Sequence, residues 1–184
     1  MTTRLGLSGV YEPVKVNLIG ASSEYYKVIL PGGNKHYARK EFYISKDSAK
    51  FIGSKLIPHK NAGKEIIEEA KTFISTPYLW GGASSVMTDC SGFTQMLYRL
   101  NGILIPRDAD QQHQFSKAVN SRDELEPGDL VFFTGHVGMY IGDKKFIHSS
   151  VGYGGVAITS FDSKDPLFND WYIKNYKGAG RILN

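Results

Sequence analysis

The hydrophobic spacing changes character twice along this 184-residue chain, and the order of those changes restricts the fold more than any one motif. Between residues 10 and 52, short runs rich in Val, Ile and Tyr (VKVNLIG, EYYKVIL, KHYARKEFYI) are separated by turn signals such as Pro31-Gly32-Gly33-Asn34. Such runs predict strands joined by hairpins. From Lys64 the apolar positions Ile66, Ile67, Ala70, Phe73 and Ile74 follow helical spacing, and Pro77 is the predicted stop. A second helix is predicted to begin near Cys90, with Phe93, Met96, Leu97 and Leu100 on one face and Asn101-Gly102 closing it. A third is predicted from Pro106 or Arg107 through DADQQHQFSKAV. After it come the short strand-like runs LVFF, HVGMYIG, KFIHSS, GVAITS and YIKNY…GRIL. Helices first and sheet second predict an α+β domain with an antiparallel sheet, not alternating βαβ units.

The linker SKLIPHKNAG carries Pro58, Asn61 and Gly63, which sets a domain boundary between Phe51 and Asn61. The expected organisation is a small β-barrel over residues 1–55 and a second domain over 61–184. No apolar run approaches the roughly 20 residues needed to span a bilayer. The N-terminus MTTRLGLSGVYEP lacks a basic segment followed by an apolar one, so no signal peptide is read there. Twenty-two basic against eighteen acidic residues leave a net charge of +4. The Lys and Arg residues are scattered, so no nucleic-acid partner is expected, while a mild basic excess suits anionic polymers such as cell-wall material.

The single cysteine permits no internal disulfide and sits in TDCSGF, residues 88–93. In the first turn of a helix, unpaired N–H groups and the positive dipole end favour a thiolate, so the expectation is a lowered pKa and a nucleophilic role. A lone cysteine is also a common buried filler, but the polar flanks Asp89 and Ser91 fit that role poorly. A nucleophilic thiol needs a base, and the base needs an orienting partner. Of the five histidines, His36, His59 and His113 read as solvated. His136 opens one strand and His148 ends the next, with a tight turn at Gly142-Asp143 between them, so an antiparallel hairpin can bring the two rings together. Two exposed strand-end histidines, or a zinc site with Cys90, are the alternatives; the chain has no HExxH and no CxxC to support the metal. The glycines of VGYGGV precede a strand and are not a nucleotide loop. Arg107 and Asp129 read as structural, at a helix start and after a Pro-Gly turn.

The ordered set PYLWGG, DCSGF, IPR, PGDLVFF, GHVGMYIG and FIHSS closely resembles the NlpC/P60 cell-wall peptidases over residues 61–184. The strand-rich leader resembles the bacterial SH3-like domains that often precede them. The resemblance implies a reduced papain-like fold with Cys90 as nucleophile, His136 as general base, His148 orienting His136, and Tyr78 near the oxyanion hole. It implies that Asp89 and Ser91 help hold the free α-amino group of a stem peptide, aided by an aromatic of the leader (Tyr25, Tyr26, Tyr37 or Tyr43); helix capping is the plainer role for both flanks. Trp80 is expected to pack its own loop. The implied substrates are peptidoglycan stem peptides or muropeptides, cut after γ-linked D-glutamate and before a diamino acid, with no cofactor, and the implied location is secreted, periplasmic or wall-associated. A thiol amidase or acyltransferase acting on another amide or a lipid ester, or a non-catalytic wall-binding module, are the rival functions.

Overall fold

The structure is a computed structural model that describes residues 2–7, 14–29, 41–51 and 62–183. The chain divides into two compact units, Met1–Leu56 and Ile57–Asn184. In the first, strands β1 (Thr2–Leu7), β2 (Val14–Ala21), β3 (Tyr25–Ile29), β4 (Glu41–Ser45) and β5 (Ala49–Phe51) form one antiparallel sheet in the order β4-β3-β2-β1-β5. Among the described residues this sheet is open, with β4 and β5 at its edges, where the sequence predicts a closed barrel. The predicted turn at Pro31-Gly32-Gly33-Asn34, like Tyr37, His36 and His59, lies outside the described residues. Lys27 on β3 sits opposite Tyr43 and pairs with Glu41 at 2.8 Å, a cross-strand contact at the sheet edge.

The second unit holds helices α1 (Ala62–Lys71), α2 (Cys90–Leu100), α3 (Ala109–Phe115) and α4 (Asp170–Lys174) with strands β6 (Lys117–Val119), β7 (Leu130–Phe133), β8 (His136–Gly142), β9 (Lys145–Ser150), β10 (Gly155–Ser160) and β11 (Tyr176–Arg181). The strands make an antiparallel sheet in the order β10-β9-β8-β7-β11-β6. This is the α+β arrangement of helices followed by sheet. Two helices are shorter than their periodicity predicts. Helix α1 stops at Lys71, well before Pro77, and the chain turns through Ser75 at φ 72°, leaving Ile74 46% exposed. Helix α3 starts at Ala109 and ends at Phe115, because residues 117–119 pair with β11 and strand pairing overrides helical propensity there. The C-terminal run expected to be strand throughout opens as α4, capped by Asn169, whose side chain accepts from Trp171 N at 3.0 Å.

Period-two alternation divides the sheet's side chains between two cores. Leu130, Phe132, Val137, Met139, Ile147 and Val156 pack with Ile66, Phe73, Phe93, Met96 and Leu97 of α1, α2 and the turn between them. Val131, Phe133, Tyr140 and Phe146 face the other way and pack with Tyr172 of α4. Asp129 serves a structural purpose: buried, it accepts from Arg181 Nε at 2.9 Å and from Glu126 N at 2.8 Å, tying β11 to the turn before β7. The alternation puts His136 and His148 on the α4 face, against Tyr172, while Cys90 opens α2 in the other core.

Candidate active site

Helix α2 starts where it does because Asp89 caps it. Asp89 is extended (φ −92°, ψ −178°), and its Oδ1 accepts from Gly92 N at 2.7 Å, which leaves Cys90 in the first turn. Gly92 is required by contact: a Cβ there would lie 2.1 Å from the Gly82 carbonyl oxygen, so only glycine lets the PYLWGG loop cross the helix start. Asp89 Oδ2 accepts from Gly81 N at 2.9 Å, and Arg107 completes the cluster through NH1 to Oδ1 at 3.0 Å and NH2 to Oδ2 at 2.6 Å. Arg107 NH1 also donates to Ser91 Oγ at 2.8 Å and NH2 to the Gly82 carbonyl at 3.2 Å. Asp89 and Ser91 are both buried, and their polar atoms are engaged in this cluster. Arg107, which the sequence presents as a helix start, lies instead before α3 and serves the Cys90 loop; its place in the IPR motif was the only signal.

The histidine pair follows from turns and register. A two-residue turn, Thr134-Gly135 with Gly135 at φ 67°, makes His136 the first residue of β8, opposite Phe133. The next turn is Asp143-Lys144, both left-handed (φ 51° and 56°), one residue later than predicted. Gly138 backs directly onto His148, where a Cβ would come within 3.2 Å of the His148 Cβ. With no side chain at 138, the His148 ring leans along the sheet and His136 Nε2 meets His148 Nδ1 at 2.8 Å. His148 Nε2 lies 2.9 Å from Thr159 Oγ1, and the Tyr172 hydroxyl lies 3.4 Å from His148 Nδ1 and 3.2 Å from Ser150 Oγ. Thr159 and Tyr172 escaped the sequence reading because only strand register and the unforeseen helix α4 bring them here.

The backbone amide of Val137, the residue after His136 on β8, bears on the Cys90 thiol. His136 Nε2 is taken by His148, so Nδ1 is the nitrogen left for a proton. Ser149 Oγ donates to the Thr88 carbonyl at 2.7 Å, locking the strand that carries His148 to the residue two before Cys90. Burial pushes the Cys90 thiol up; the amides of Val137, Ser91 and Cys90 itself pull the other way and lose. The lowered thiol pKa expected from the helix start is therefore overturned: desolvation outweighs the N-terminal amides. Burial lowers His136 to about 4 and holds His148 well below the imidazole range, with the neighbouring ring adding to the effect. Both shifts favour the uncharged form, a neutral thiol at Cys90 and a neutral imidazole at His136.

Tyr78 is half-buried, its amide donating to the Gly154 carbonyl at 3.0 Å, and its phenol is raised first by burial, with the neighbouring Cys90 and Asp89 adding to the effect. Trp80 does not pack its loop: it is 83% exposed. His113 is half-buried rather than fully solvated, stacking on Phe132 with ring centroids 4.3 Å apart. Among the described residues, no three His, Cys, Asp or Glu side chains gather as metal ligands, and no helix is long and apolar enough to cross a membrane.

The model of the NlpC/P60 family matches residues 75–176, more than half of the chain and every residue of this cluster. The chain belongs to the NlpC/P60 family. One family relative, the gamma-D-glutamyl-L-lysine dipeptidyl-peptidase of Bacillus cereus, is 37% identical over 180 residues, covering 92% of this chain and 49% of its own length. The murein DD-endopeptidase MepS/murein LD-carboxypeptidase of Escherichia coli K12 is 34% identical over 135 residues, covering 70% of this chain and 68% of its own. The crystal structure of an NlpC/P60 family protein from Bacillus cereus superposes with a TM-score of 0.79 at 31% identity, over 100% of this chain and 61% of the other. The chain thus spans about half the length of the first of these curated relatives.

Two outcomes follow for this NlpC/P60 domain. Gly138→Ala should keep the fold but displace His148, because the added methyl lies 2.9 Å from the buried Phe146 ring as well. Activity should fall by roughly tenfold or more with a loss of about 1–3 kcal/mol in urea unfolding; unchanged activity would show that the ring does not depend on the gap. Both imidazoles are depressed in the folded state, so between pH 6.5 and about 4 the unfolded chain binds more protons and stability falls as pH drops. Urea midpoints measured across that window should decline toward acid, and less steeply in His136→Gln; equal slopes would show that burial of this ring does not drive the decline.

Proposed function

We propose that the chain is a cysteine endopeptidase of peptidoglycan stem peptides that hydrolyses the γ-D-glutamyl–diamino acid bond. The observation that carries this reading is the 2.8 Å contact of His136 Nε2 with His148 Nδ1, which leaves His136 Nδ1 as the available ring nitrogen on the residue next to Val137, whose amide bears on the Cys90 thiol. Cys90 Sγ attacks the scissile carbonyl carbon as its proton moves to His136 Nδ1. Because thiol and imidazole both rest neutral, transfer and attack are coupled, and substrate replaces the solvation that burial removed. The Cys90 N–H and the Tyr78 hydroxyl donate to the tetrahedral oxyanion. Collapse breaks the C–N bond, His136 returns its proton to the leaving amine, and water activated on the same nitrogen hydrolyses the thioester. His148 keeps the ring of His136 in the useful tautomer.

Asp89 and Ser91 form the second part of the proposal, holding the free α-amino group of a stem peptide at the mouth of the helix. Arg107 already balances the Asp89 carboxylate, so the ammonium adds to a shared charge network rather than meeting a bare anion. The leader is proposed to be an SH3-like module over residues 1–55 that binds the wall, preceding in sequence a papain-like catalytic domain over 61–184; Tyr25 and Tyr43 are exposed in it. Support for this bond comes from the Bacillus cereus relative, a gamma-D-glutamyl-L-lysine dipeptidyl-peptidase, whereas the Escherichia coli relative is a murein DD-endopeptidase and LD-carboxypeptidase.

Mass spectrometry of digested muropeptides distinguishes these bonds. Free dipeptide ending in D-glutamate is the expected product, absent with Cys90→Ala, and His136→Ala should be more damaging than His148→Ala. Products cut only at D-alanine would move the activity to the other bond, and full activity in Cys90→Ala would remove the thiol mechanism. A free-amine tripeptide should exceed its N-acetylated counterpart in kcat/KM by about tenfold, an order set by one charge-assisted contact; equal values would leave Asp89 as a helix cap alone.

A further inference from the structure

His136, His148 and Thr159 lie on one diagonal across three adjacent strands. Ala157 is paired directly with His148 on β10 and Gly138 backs it on β8, so the two cross-strand neighbours of His148 in the sheet are both small. His136 lies two residues before Gly138 on β8, and Thr159 two residues after Ala157 on β10. Since β8 and β10 both run antiparallel to β9, the two partners sit at opposite ends of the imidazole, one at each nitrogen. His148 and Thr159 are both 0% exposed, so no bulk water competes for either nitrogen.

We propose that Thr159 is a positioning residue that sets the proton order of the histidine pair by accepting a hydrogen bond from His148 Nε2. This rests on the reading of Cys90 and His136 as nucleophile and base. A line of two imidazoles has two proton orders. In the first, His148 carries its proton on Nε2 and gives it to Thr159 Oγ1; its Nδ1 then accepts from His136 Nε2–H, and His136 Nδ1 is left with a lone pair. In the reverse order the Thr159 hydroxyl donates, His148 Nδ1–H donates to His136 Nε2, and the His136 proton sits on Nδ1, where no thiol proton can be taken. A threonine hydroxyl suits either order; its accepting role follows from the base, since only the first order leaves a lone pair on His136 Nδ1 to take the thiol proton. The titratable groups facing the ring are His136 from β8, Tyr172 from α4 and Tyr153 from the turn after β9, the last edge-on at 5.6 Å.

The test compares Thr159→Val, which keeps the shape and removes the oxygen, with Thr159→Ser, which keeps the oxygen. Thr159→Val should lower kcat roughly tenfold or more with KM within about twofold, the order expected when a buried imidazole loses its partner and its tautomer preference; Thr159→Ser should retain most of kcat. Nitrogen-15 NMR of the His148 ring at pH 7 should show the Nε2–H tautomer in the wild type and in Thr159→Ser, and a gain of Nδ1–H in Thr159→Val. Wild-type kcat in Thr159→Val, or an Nδ1–H tautomer at His148 in the wild type, would overturn the proposal; the second needs no folded variant. Cys90→Ala run beside them separates the two readings: if it is inactive while Thr159→Val matches the wild type, the role of Thr159 alone falls, and if it is active, the thiol reading falls first.

Discussion

Asp89 accepts hydrogen bonds from Gly92 N, Gly81 N and both terminal nitrogens of Arg107, and through them three separate stretches of chain are held at one carboxylate. The first bond begins helix α2 and so decides that Cys90 stands in its opening turn. The second and third bring the PYLWGG loop and the segment before α3 against that turn, at a distance only Gly82 and Gly92 permit. A buried carboxylate without such donors costs several kcal/mol, so the cluster holds together as a unit. Losing the Arg107 side chain would leave the carboxylate short of two donors, and losing the carboxylate would leave a cation and several amides unsatisfied.

From this fixed point the chemistry is a matter of reach across a sheet end. Helix α2 packs on one face of the sheet and the histidines sit on the other, and the Val137 amide next to His136 bears on the Cys90 thiol in the first turn of α2. Ser149 bonded to the Thr88 carbonyl ties the two halves from behind. Cys90 and His148 are buried and His136 is partly so. Burial favours the neutral thiol and imidazole, makes their proton order depend on hydrogen bonds rather than on charge, and strengthens whatever donors face a developing oxyanion.

The sequence made most of this visible where local rules govern. The helical face of Phe93, Met96 and Leu97 and the period-two alternation of HVGMYIG predict α2 and β8, and the antiparallel hairpin predicts the meeting of His136 with His148. What escaped depends on long-range register or on competing energies. Residues 117–119 look helical in isolation and pair with β11 instead. Thr159 and Tyr172 reach His148 only through sheet order and helix α4. Arg107 looks like a helix start until its partner 18 residues away is known. The thiol pKa moved opposite to expectation because a helix start announces its amides in sequence, whereas burial of the same atom does not. Trp80, expected inside its loop, is exposed, and the leader's strands form an open sheet among the described residues.

The central claim is that Cys90 carries the acyl group during turnover. Intact-protein mass spectrometry after rapid acid quench, with an activated ester of a dipeptide ending in γ-D-glutamate as substrate, reads that intermediate directly. The account predicts one added acyl group, mapped by peptide digestion to Cys90, released by hydroxylamine and missing in Cys90→Ala. Turnover with no adduct at any quench time, or an adduct mapped to another residue, would contradict it.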